Sequence, residues 1–251
     1  MNSPSHSKSL SQCTHRFYLI SSIILFVLTF IGFRLFYLEG KAFPGRELTP
    51  PIRSLLITHG ITMTAWILLS VTQPLLVTLG KQPQHKLFGR IGAVLALIIF
   101  IVGWQLAIGA TKVTPPQLIR FGLNPQQFMA VPALGVTAFA AFVAAGVRYR
   151  RRPEIHRPLM LMATLSGVSA ALGRIPVLNF WFAGTTWEYL FSAFFSSALV
   201  GVLLIGSHFI ITRRVDRGLS LVFGIFLVVC MAISLIARTG PWLHFVNALT
   251  A

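Results

Sequence analysis

Three histidines lie beside basic residues where apolar runs begin or end. His85 precedes Lys86 and Arg90, His156 precedes Arg157, and His208 lies about one turn before Arg213 and Arg214. Two neutral imidazoles at one depth on facing helices have the donor set that holds the iron of a b-type haem. Neighbouring arginines or lysines are suited to the propionates. The expected cofactor is therefore haem b, with His85, His156 and His208 as candidate ligands and no other metal site.

A second set of residues suits a buried pocket. His59, Trp66 and Gln73 are spaced seven and seven, which places them on nearly one stripe of a helix, with Ser70 close by. His156, Met160, Ala163, Gly167, Ala170 and Arg174 follow a 4-3-4-3-4 spacing. They form one face, small in the middle and cationic or titratable at the ends, that lets another helix or a flat ligand come close. Gln105 and Glu188 complete the interior polar set. Such residues are expensive to aim at lipid and should face inward. They could serve a proton-coupled transporter, or a site for a quinone or another small molecule together with Trp104. The plainer readings are an interhelical bond from His59 to Gln105 and an arginine at 174 that snorkels to the headgroups. A scaffold with no ligand is a third reading.

Other chemistry is excluded more firmly. There is no H-E-x-x-H and no pair of acids, and no Asp falls within an apolar run. That argues against a metal hydrolase. Cys13 and Cys230 cannot build a disulfide framework or a cysteine-based metal site. No reaction is named by these residues, so enzyme activity stays open.

Seven apolar runs must position these groups: Phe17–Tyr37, Ile52–Leu79, Gly89–Ala110, Phe128–Val147, Pro158–Ile175, Glu188–Ile211 and Leu219–Ala237. Each is about the length that crosses a bilayer. The chain is 55% hydrophobic and 10% charged, against roughly 25% charged in a soluble domain. The expected fold is all-α: a polytopic transmembrane bundle of about seven helices over residues 17–237. A cytoplasmic tail, 1–16, precedes it and a short extracytoplasmic tail, 238–251, follows it. The first run is longer than the ~7–15 residues of a signal-peptide core and lacks a cleavage site, so it reads as a retained helix.

The formal charge of +16 comes from short loops beside apolar runs. It fits anionic lipids rather than nucleic acid. With alternating spans, 13 of the 21 basic residues, the Arg148–Arg152 cluster among them, fall on the side of the N-terminus. The positive-inside rule places that side in the cytoplasm, N-in and C-out. Phe180, Trp181, Phe182, Trp187 and Tyr189 form an aromatic belt on the other side. The loops Pro83–Lys86 and Pro153–Arg157 match loosely, as parallel repeats of spans 2–3 and 4–5 would.

The pattern His59…Gln73-Pro74…His85-x-x-x-Gly89-Arg90, then His156-Arg157-x-x-Met160…Gly173-Arg174, resembles a family of bacterial predicted multi-pass membrane proteins of unknown function. The resemblance spans about Thr58 to Pro176 and carries over no activity. A fainter similarity links the consecutive histidines to diheme cytochromes b and ferric reductases. The leading expectation from the histidines is an inner-membrane electron-transfer protein with one b-type haem near its cytoplasmic face, and with a redox or quinone partner. The chain departs from the diheme pattern on the outer side, where His59 has no in-span partner and only His244, beyond the last span, is near that depth.

Overall fold

The computed structural model describes residues 4–43 and 45–250. Its elements are helices joined by short turns. In chain order they are α1 (Pro4–Gly32), α2 (Arg34–Glu39), a two-residue hairpin of β1 (Lys41–Ala42) and β2 (Arg46–Glu47), α3 (Arg53–Thr78), α4 (Gln82–Val113), α5 (Pro125–Phe128), α6 (Ala130–Arg148) and α7 (Pro153–Leu172). Then come α8 (Pro176–Asn179), α9 (Thr186–Phe191), α10 (Phe195–Thr212), α11 (Arg217–Ile236) and α12 (Gly240–Thr250). Among the described residues six stretches are long and apolar enough to cross a membrane: Gln12–Gly32, Arg53–Thr78, Gln82–Val113, Pro125–Arg148, Thr186–Thr212 and Arg217–Ile236. The chain is a multi-pass helical membrane protein.

The expected span Pro158–Ile175 corresponds to α7, which is not among these six. Its position gives the reason. α7 packs on α6 more extensively than any other two elements pack, and it also meets α1, α11, α10 and α3. From Leu159 to Leu172 it is buried except at Met160, Gly167 and Ala170. A helix enclosed by helices does not need lipid-facing leucines. Small and hydroxylated residues let its neighbours approach, and Ser166 and Ser169 bond to Gly135 and Ser197 on those neighbours. Gly32 shows how close the approach is: a Cβ there would lie 2.2 Å from the Ala171 carbonyl oxygen.

Several expected boundaries are corrected. Residues 4–16, in the segment expected to precede the first span, are helical and continuous with the rest of α1. The first span ends at Gly32, where α1 meets the α7 backbone, and Tyr37 belongs to the separate α2. The sixth span is interrupted at Ser192, which has a φ of 47°, so Glu188 lies on α9 and α10 starts at Phe195. The C-terminal segment is no tail: α12 buries Trp242 and Val246, and Trp242 Nε1 donates to the Gln126 carbonyl at 3.2 Å.

The bundle has two ends of different character. At the basic end, Arg157 donates to His15 Nε2 at 2.8 Å, the start of α11 lies against the start of α7, and the start of α4 comes near the start of α7 through His85 and His156. At the aromatic end, Phe36 lies over Gly60, and Phe121 stacks between Phe128 and Phe182 at 6.4 and 6.3 Å.

Candidate functional site

The most pointed feature is a seam bounded by α3, α6 and α7. α3 contributes His59, Met63 and Trp66 from a single stripe. Met63 reaches Gly167 of α7, and the Trp66 ring meets Phe139 of α6 edge-on at 4.7 Å. On the expected face of α7 the accessible positions are Met160, Gly167 and Ala170, continued past the helix end by the half-buried Arg174. Two polar atoms on the α3 side, His59 Nδ1 and Trp66 Nε1, are buried with no partner among the described residues. A buried group left unpaired costs about 1–3 kcal/mol. Neither atom is matched by a group of the described helices around it.

Arg174 closes the seam at the aromatic end. Its guanidinium lies over the Phe33 ring, 4.6 Å from the centroid, and donates to the Ala170 carbonyl. It is within electrostatic reach of His59 and of Arg120. Among the described residues the ion pairs are Lys41–Glu39 and His208–Asp216, so no carboxylate neutralises Arg174. Arg120 is brought there by a tight turn. Arg120 and Leu123 exchange backbone hydrogen bonds of 2.9 and 3.0 Å around Phe121 and Gly122, whose φ values are 50° and 66°. That is a type I′ geometry, easy for glycine and strained for phenylalanine. Burial of Leu123 and the stacking of Phe121 hold the turn. Arg238 lies close to Gly122 and over the Tyr189 ring at 4.5 Å. Partial burial lowers its pKa from the ordinary value, and Tyr189 and Glu188 oppose that shift.

At the basic end, His156 Nδ1 lies 2.8 Å from the Gly146 carbonyl oxygen. A carbonyl only accepts, so this nitrogen carries the proton and Nε2 keeps its lone pair. His85 is held the other way. With its amide oriented to satisfy its neighbours, Gln73 donates to His85 Nδ1 and to the His85 carbonyl at 3.2 Å, and accepts from the Gly89 N–H at 2.8 Å. In neutral His85 the proton is then on Nε2. The two rings and Arg157 are within electrostatic reach of one another.

The other expected site residues are dispersed. Gln105 is on the exposed face of α4, so it is neither interior nor a partner of His59. α4 turns Gly92, Ala96, Ile99, Gly103 and Ala107 inward, and Gln105 lies about 200° from Gly103 at ~100° per residue. Glu188 is at the aromatic end outside the seam, where its carboxylate accepts from the Gly184 N–H at 2.6 Å. Gln73 is drawn to His85 rather than to His59. His208 is in a different cluster: its Nε2 is 4.0 Å from Asp216, and its ring meets Phe17 edge-on at 4.7 Å. Trp104 donates to Thr137 at 3.0 Å, and His244 is exposed. Sequence reasoning missed Phe33, the Arg120–Leu123 turn and the Arg157–His15 bond. The Phe121-Gly122 pair before Asn124-Pro125 was the available turn signal.

No protein family, curated protein or solved structure matches this chain. Among the described residues no three of His, Cys, Asp or Glu come together as a metal site.

Proposed function

We propose that this is a bacterial inner-membrane protein of seven crossings, N-in and C-out, that binds a small molecule in the seam between α3, α6 and α7. The observation that carries the reading is the pair of buried, unpartnered atoms, His59 Nδ1 and Trp66 Nε1, on one α3 face opposite the accessible strip of α7. Pockets between helices, mostly apolar with a few polar groups, are the usual form of small-molecule sites in bundles. The position of the termini supports an odd number of crossings. His15 is bonded at the basic end and α12 is docked at the aromatic end, which supports α7 as a crossing beside the six apolar ones.

The test compares organic extracts of the purified protein with those of Ala170→Trp, whose indole fills the seam. A small molecule is expected in near-stoichiometric amount from the first and absent from the second. Identical extracts from two equally folded proteins would end the reading.

A haem at the basic end is the second reading, and His156 is the observation in its favour. Its Nδ1–H is anchored on a carbonyl, as in haem and metal ligands, and its Nε2 lone pair is available. With the Gln73 amide turned to satisfy its neighbours, His85 does not fit, because Nδ1 accepts from Gln73 and Nε2 bears the proton. A haem would supply one-electron chemistry. This chain's own contribution would be the single imidazole of His156, with Arg157 beside it.

A further inference from the structure

We propose that the Arg174 end of the seam recognises an anionic head group, a carboxylate or a phosphate, on an amphiphile whose apolar body lies along Ala170 and Met63. The proposal rests on the seam being a binding site and adds the class of molecule that fills it.

Charge is the first argument. Arg174 is a half-buried cation with no carboxylate partner among the described residues. A cation removed from water is retained when an anion or a set of acceptors meets it. One N–H of Arg174 is used by the Ala170 carbonyl and its face is used by Phe33, which leaves other N–H groups of the planar fork. Two carboxylates of the aromatic end are engaged elsewhere, Glu39 with Lys41 and Glu188 with the Gly184 N–H. Arg120, on its strained turn, lies within electrostatic reach of Arg174. His59, whose Nδ1 has no partner among the described residues, is within electrostatic reach of Arg174.

Shape is the second argument. Next to Arg174 the α7 face is the exposed Ala170 and then Gly167, which Met63 and Phe139 oppose. This surface suits an alkyl or flat apolar body and offers no second charge to pair with a polar one. A guanidinium fork binds the oxygens of a carboxylate or phosphate in bidentate fashion, which fixes the head while the body stays in the apolar part.

The experiment measures the melting midpoint of the full chain in phosphatidylcholine nanodiscs with laurate, dodecyl phosphate, dodecanol or a short-chain ubiquinone. The two acids should raise the midpoint by about 5 °C near saturation, and the two neutral molecules should not. Arg174→Gln should abolish the shift and Arg174→Lys should keep part of it. Should Arg174→Gln fail to fold, the contrast between laurate and dodecanol on the unaltered protein decides. Added phosphatidylglycerol and soluble inorganic phosphate separate the sources: a shift with the lipid assigns a membrane headgroup, and a shift with phosphate assigns a free anion. Equal shifts with dodecanol and laurate, lost in Ala170→Trp, would overturn the anion and leave the seam as a site. No shift with any probe, and none changed by Ala170→Trp, would overturn both.

Discussion

At the residue scale, the two imidazoles of the basic end are held by opposite kinds of atom. His156 gives its Nδ1 proton to a carbonyl, whereas His85 Nδ1 receives one from an amide. Neutral imidazole ligates through the nitrogen without a proton, so the two are not equivalent towards iron. Any Soret band of the purified protein is therefore expected to vanish in His156→Ala and to persist in His85→Ala, read by absorbance at matched protein concentration. A band lost only in His85→Ala would reverse the assignment. The existence of these histidines was legible in the sequence, because types and spacing are local. Which nitrogen bears the proton was not, because it depends on Gly146 and Gln73, each several helical turns away in the chain. Gln105 fails for a related reason: a helix apolar on all sides does not announce its inner face through its polar residue, but through its small ones.

At the element scale, α7 is positioned by glycines on its neighbours as well as by its own small and hydroxylated side chains. Gly32 of α1 permits contact with the Ala171 backbone, and a Cβ there would lie 2.2 Å from the carbonyl oxygen. Backbone cannot swing aside as a side chain can, so Gly32→Ala must push α1 away. The expected loss is about 1–3 kcal/mol. Gly206 of α10 is the control, since a Cβ there meets nothing within 4 Å. Gly206→Ala should be neutral or slightly stabilising, by the ~1 kcal/mol helix preference for alanine. Chemical denaturation of the two variants in one detergent checks the pair, and equal effects would refute the close α1–α7 contact. Helix existence was legible here because apolar runs of about 20 residues are a strong local signal. The break after Gly32 and the packed α12 were not, because each is met by a contact distant in the chain, and nothing in the residue types around Ser192 signals its φ of 47°.

At the scale of the whole molecule, charge and termini argue together. Of the 21 basic residues, the Arg148–Arg152 run and the residues around Arg157 and Arg213–Arg217 gather at the end that also holds His15. Translocating such a cluster is unfavourable, which assigns that end to the cytoplasm under the proposed orientation. Lys112 is exposed at the far end of α4, and Arg151 is exposed in the α6–α7 turn. Single cysteines at these positions report the two faces, in a Cys13→Ser background with the buried Cys230 left in place. In intact cells a membrane-impermeant thiol reagent should label Lys112→Cys and spare Arg151→Cys until the membrane is opened. The reverse pattern would invert the protein and move the Arg174 seam to the cytoplasmic side. Labelling of both from outside would break the alternation of spans, and with it the place of α7 as a crossing.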